Sequence, residues 1–193
     1  GCEFTAMEKD GKIMIEDGQG NVATVTTADV KQSNGVIHVI DTVLIPSSDD
    51  IVTTAASTGT FNTLLAAATA AGLADTLAND GPYTVFAPTD DAFSKLGKDT
   101  LTTLLLPENK EMLQMILKNH VVSGRVYSPD ALKASTATTL AGTSLPIAVK
   151  NGAARAGNAK LLMTDIDASN GVIHVIDTVL TENVRTSSAS PSP

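Results

Sequence analysis

The chain has 193 residues, 42% of them apolar, which is room for one domain with an appendage or two small ones and excludes a disordered protein. Thirteen Lys and Arg stand against 21 Asp and Glu, a net charge of −8 shared by residues 1–48 and 49–182, so no basic island is offered to nucleic-acid phosphate or an anionic membrane. The single cysteine, Cys2, excludes an internal disulfide and a cysteine metal site, and no apolar run is long enough for a transmembrane segment or a signal segment.

In chain order, the first feature is a repeat: Ser33–Leu44 recurs without a change as Ser169–Leu180. Upstream, Ala28-Asp29-Val30 lies over Thr164-Asp165-Ile166, and Ile13–Gly18 over Ile147–Gly152. The repeated piece closes the second copy. Residues 1–46 are therefore expected to be the C-terminal strands of a partial repeat, 47–48 a linker, 49–182 a complete copy and 183–193 a solvated Ser/Pro-rich tail, in a parent protein with tandem copies.

Within the complete copy, Phe61, Leu64, Leu65 and Ala68 recur at three and four residues, and Gly72 ends the helix they predict. A short second helix is expected over Leu73–Asn79, and the β-branched and aromatic Tyr83–Ala87 reads as a strand. Thr89 then caps a helix whose first turn holds Asp90 and Asp91. Pro107 and Glu108 open a helix to about Asn119, with Met112, Leu113, Met115 and Ile116 expected inward, and Ser128-Pro129-Asp130 caps another. From about Thr138 the period changes to two: Leu145–Lys150, a turn at Asn151-Gly152, Ala159–Ile166, a turn at Ser169-Asn170-Gly171, then Val172–Leu180. The last strand is apolar on both faces and so is expected to be central. The predicted class is α+β, helices packed on a small antiparallel sheet or wedge-shaped sandwich.

Three histidines invite a chemical reading. His38 and His174 occupy one repeat position inside aliphatic strands, which predicts interior or half-buried structural groups bonded to backbone or carboxylate. His120 has no histidine or cysteine at ligand spacing, so neither metal nor cofactor is expected. Asp41 and Asp177, three residues after each strand histidine, point to the opposite face and are expected to fix loop backbone rather than form a catalytic dyad. No nucleophile elbow and no glycine-rich phosphate loop is present.

Three blocks, Tyr83–Leu96, Asn119-His120-Val121-Val122 and Asn170–Leu180, follow one another at domain spacing and resemble the signature blocks of the fasciclin-like domain family. The resemblance covers 49–182 in full and 12–46 as a partial copy. It implies a compact α+β module used in adhesion, without catalysis, in extracellular, cell-surface or periplasmic proteins. By the same resemblance, partner contacts fall on Asn119-His120 and Asp165-Ile166. Asn119 stands where the animal relatives carry tyrosine, which argues against animal-type integrin binding. The expected partners are a protein or a surface polysaccharide, and the exposed strands of the partial repeat are a surface for self-association. The alternative is a secreted or periplasmic carrier of a small apolar ligand, held between helices and sheet. A weaker reading is a hydrolase or metal enzyme using His120 or His174.

Overall fold

The computed structural model describes residues 4–17, 21–150 and 152–181; Cys2, Asn151 and the tail 183–193 lie outside the described residues. The N-terminal strands Thr5–Lys9 (β1), Lys12–Glu16 (β2), Val22–Gln32 (β3) and Gly35–Ile40 (β4) form an antiparallel meander in the order β1-β2-β3-β4. Asp10-Gly11, both at positive φ, make the two-residue turn that a twisted hairpin requires. Val36, Ile37 and Val39 of β4 remain 52%, 51% and 45% exposed, so this sheet buries little of its apolar surface.

The helical segment follows as Ile51–Thr58 (α1), Asn62–Ala71 (α2) and Ala74–Asn79 (α3). The sequence reading missed α1, whose β-branched and hydroxyl residues are weak helix formers. Its ends decide the matter: the Asp50 side chain accepts from Thr53 N, and Gly59 closes the helix at φ 68°. After Tyr83–Pro88 (β5) come Asp90–Ser94 (α4), Lys98–Leu104 (α5), a 3-10 turn at Pro107–Asn109 leading into Lys110–Lys118 (α6), Val121–Ser123 (β6) and Ser128–Ala134 (α7). On α6 the inward stripe is Leu113, Ile116 and Leu117. Met112 and Met115, expected inward, flank that stripe and are 36% and 43% exposed. Apolar character alone did not distinguish the flank of the helix from its buried centre.

The chain ends in Thr136–Thr138 (β7), Ser144–Lys150 (β8), Ala153–Ala156 (β9), Ala159–Ala168 (β10) and Gly171–Ile176 (β11). Among the described residues the second sheet runs β6-β5-β11-β10-β9-β8-β7, and a bridge between Val122 and Thr139 curls its ends toward each other. The class is α+β. One pairing departs from the expected antiparallel pattern: β5 and β11 are parallel, Tyr83 opposite Gly171 through Pro88 opposite Ile176. β11 is central between β10 and β5 and buried along its whole length, and it ends at Ile176, four residues short of the predicted Leu180.

Alternation along these two strands divides the core. Val85, Ala87, Ile173 and Val175 face the helices with Phe61, Leu64, Phe93 and Leu117, whereas Phe86 and Ile176 face Leu145 and Ile147 of β8. The parallel pair depends on close approach at one corner. A Cβ on Gly171 would overlap the Tyr83 carbonyl oxygen and lie 2.5 Å from Ile51 Cδ1, while a Cβ on the repeat equivalent Gly35 would meet nothing within 4 Å. We expect Gly171→Ala to destabilise the protein by about 3 kcal/mol, the cost of overpacking against backbone, and Gly35→Ala to stay within about 0.5 kcal/mol. Urea melts of the two variants beside the parent chain measure the difference.

Candidate functional site

Asn119 and His120 follow α6 directly, and both are buried. His120 Nδ1 donates to the Ile116 carbonyl at 2.8 Å, and Nε2 accepts from Leu180 N at 2.8 Å. An acceptor role at Nε2 requires the neutral ring, and burial pushes the His120 pKa down to about 4. Asn119 Nδ2 donates to the Leu180 carbonyl at 3.0 Å, and its Oδ1 accepts from Thr143 Oγ1. The two side chains thus hold the N–H and C=O of Leu180, fixing the segment that leaves β11. Neither is presented at the surface.

Asp165 sits in an irregularity of β10, at φ 62°, where the register with β11 shifts between Met163 and Ile166. Its N–H donates to His174 Nδ1 at 3.2 Å, and His174 Nε2 donates to the Val126 carbonyl at 2.8 Å. Burial lowers the pKa of His174, against the opposing pull of the Val126 carbonyl and Asp165. The Asp165 carboxylate accepts from Ser128 N at 2.7 Å and Ser128 Oγ at 2.5 Å, so it caps α7, the task the sequence had given to Ser128 itself. Ser128, Asp165 and His174 stand close together without forming a nucleophilic triad. The serine hydroxyl addresses the carboxylate, not the imidazole, and both ring nitrogens are engaged by backbone.

The partial repeat reproduces the local half of this geometry. Asp29 is at φ 57° and donates from its N–H to His38 Nδ1 at 3.3 Å. His38 is nevertheless exposed, against the expectation of an interior or half-buried ring, because among the described residues β4 pairs only with β3 and ends its sheet. The two aspartates that follow also match. Asp41 accepts from Thr24 N at 2.7 Å and donates to its carbonyl at 3.1 Å; Asp177 does the same with Lys160 at 2.8 and 3.1 Å. The Thr24 N–H holds the Asp41 carboxyl below the usual carboxylate range.

Thr89 Oγ1 accepts from Ala92 N at 3.2 Å at the start of α4. Asp90 looks away from its own helix and caps α2 through Thr63 N at 2.7 Å. A cluster that the sequence reading missed centres on Asp167, whose Oδ1 accepts from Arg125 Nη1 at 3.0 Å and Tyr127 Oη at 2.9 Å. Burial and the neighbouring Asp167 push the Tyr127 pKa up to about 12. Arg125 also donates to the carbonyls of Ser169 and Gly171, so it braces the β10–β11 turn. Its signal in the sequence was only a lone arginine 42 residues from its acid, which no local spacing connects.

Leu162 and Met163 of β10 are 53% and 59% exposed beside the half-buried Asp165 and Ile166. Between α1, α2, α3 and the sheet lies an apolar cavity of about 80 Å³ whose lining includes Ile51, Ala55, Leu64, Leu73, Leu77 and Ile173. Among the described residues, no three His, Cys, Asp or Glu side chains are grouped to hold a metal ion, and no helix is long and apolar enough to cross a membrane.

The family model for the fasciclin domain matches residues 1–46 and 59–182. Protein sll1483 of Synechocystis sp. is 48% identical over 134 residues, 69% of this chain and 74% of that protein. Transforming growth factor-beta-induced protein ig-h3 of Sus scrofa is 33% identical over 187 residues, which are 93% of this chain and 27% of that protein. Among solved structures, a FAS1 domain pair from the insect cell adhesion molecule fasciclin I superposes with a TM-score of 0.65 at 26% identity, covering 94% of this chain and 67% of that one.

The two buried histidines make stability depend on pH. His120 stays neutral in the folded chain down to about pH 4, whereas in the unfolded chain it protonates near its ordinary 6.5. The unfolded state therefore binds more protons between these values, and stability falls as pH drops through the window, by about 3 kcal/mol for His120. His174 adds in the same direction. His120→Ala is expected to cost about 2 kcal/mol at pH 7 by leaving the Leu180 N–H without its acceptor. It should also flatten the pH dependence of the denaturation midpoint between pH 6.5 and 4.

Proposed function

The chain belongs to the fasciclin domain family, and on that premise we propose that it is an extracytoplasmic interaction module that binds a protein or a surface polysaccharide without catalysis. The observation that carries this reading is the outward-facing strip on β10, where Leu162 and Met163 lie exposed beside Asp165 and Ile166. An apolar strip with an acid at its edge suits a contact surface. Asn119 and His120 are buried on the backbone of Leu180 and are not part of that surface.

A hydrolase or metal enzyme using His120 or His174 is disfavoured by the engagement of both ring nitrogens of each histidine with backbone groups. The carrier reading finds a cavity in the expected place, between helices and sheet. Its volume of about 80 Å³ falls well below the roughly 300–1,000 Å³ of ordinary ligand sites, so the interaction reading is preferred. The similar structure comes from a cell adhesion molecule, which agrees with a module at the cell surface, in the extracellular space or in the periplasm.

Immobilised chain is expected to retain a protein or polysaccharide from a surface extract of the source organism. Leu162→Glu should abolish retention while stability stays within about 0.5 kcal/mol. Asp165→Ala, which removes the cap of α7, should lower stability by about 1–2 kcal/mol. Retention equal to that of a denatured-chain control, or unchanged retention by the Leu162 variant, would reject the assigned surface.

A further inference from the structure

We propose that the apolar cleft between α1, α3 and the end of α6 is a docking site for one branched aliphatic side chain of a partner protein, a leucine with a carboxylate beside it in the partner's chain. The cleft exists because small residues line it from three elements. Ala55 of α1, Ala68 of α2 and Ala87 of β5 meet around Ile173, and their side chains are too short to close a space of about 80 Å³. These four are buried, and the lining is apolar throughout. Even His120 offers it only ring carbon, since Nδ1 and Nε2 are held by the Ile116 carbonyl and the Leu180 N–H. The rim is open to solvent: Val52, Thr76 and Lys118 are half-buried and Leu140 is 40% exposed.

Volume and charge select the occupant. A group the size of a water molecule or a methylene takes about 30 Å³, so the space holds about three of them, which is the branched tip of a leucine. A cavity that takes benzene measures about 150 Å³, so an aromatic ring is excluded. Whatever carries the tip must stay outside the rim, as the backbone behind a side chain does; a free ligand would leave most of its surface in water. An aliphatic anchor in a dry pocket, with polar groups at its rim, is the form that interface cores take. The rim charge comes from Lys118, which joins no ion pair among the described residues. On a chain of net charge −8, an acid is admitted only where a cation stands unpaired, so Lys118 fixes where the partner's carboxylate lies. This contact is built on helices and does not rest on Leu162 and Met163, so loss of the surface assigned there leaves it standing.

The probe is the peptide acetyl-Gly-Leu-Asp-Gly-amide, titrated into the isotope-labelled full chain and followed by amide chemical shifts. Saturable shifts are expected in α1 and α3 and over residues 117–121. The same peptide with alanine or phenylalanine in place of leucine should bind at least about tenfold more weakly. Ala55→Leu supplies the missing carbons from inside, and should abolish binding while the denaturation midpoint holds or rises. If that variant does not fold, Lys118→Glu decides: it should weaken the aspartate peptide about fivefold or more and turn the preference toward a peptide with lysine in place of aspartate. The proposal is overturned by absence of saturable shifts, by equal binding of the alanine peptide, by undiminished binding to the folded variants, or by shifts confined to β10. Free isovalerate binding as tightly as the peptide would also overturn it, by making the cleft a small-molecule site.

Discussion

The parallel pairing of β5 with β11 is the joint on which the remainder of the complete repeat depends. It sets one strand facing the helices with Val85 and Ala87 and the opposite sheet face with Phe86, and β11 does likewise beside it. Both clusters of the core therefore grow from this pair. The approach is close enough that position 171 admits no side chain, and the neighbouring Asn170 collects the end of α3 and the start of α1 at the same corner. A parallel pair needs a long crossover, and here the crossover carries α4 to α7 and the β7–β10 strands.

The repeat separates what a sequence does locally from what its surroundings supply. Both copies form the strand, the positive-φ aspartate, the aspartate-to-histidine bond and the aspartate that grips the neighbouring strand. Only the second copy is buried. His174 is almost wholly enclosed and has a second bond to Val126, whereas His38 is exposed. Burial, and with it the lowered pKa of His174, belongs to the covering layer and not to the twelve residues.

The polar groups that look chemical in the sequence act mostly on backbone. His120 and Asn119 hold one peptide unit, Asp165 caps a helix, and Arg125 braces a turn with Asp167 behind it. Such networks fix a unique arrangement where a wholly apolar interior would permit several. Among the apolar side chains left outward are Leu162 and Met163 on β10 and Val36, Ile37 and Val39 on the sheet of the partial repeat.

The sequence by itself determined the repeat and the α+β class. It also determined the capped helix after Thr89, the helix closed by Gly72, and the central burial of the last strand, because periodicity, caps and two-faced apolarity are local signals. It carried the family through three blocks at domain spacing. It did not determine α1, whose weak propensity is overridden by Asp50 and Gly59, nor the outward place of Met112 and Met115. Only the tertiary structure decided which aspartate caps which helix, that Asn119 and His120 turn inward toward Leu180, and that Arg125 meets Asp167 across 42 residues. These pairings join side chains that no spacing along the chain brings near. They exist because the tertiary fold brings distant segments together at both ends of the β5–β11 pair, where unpaired backbone and carboxylate groups must find partners.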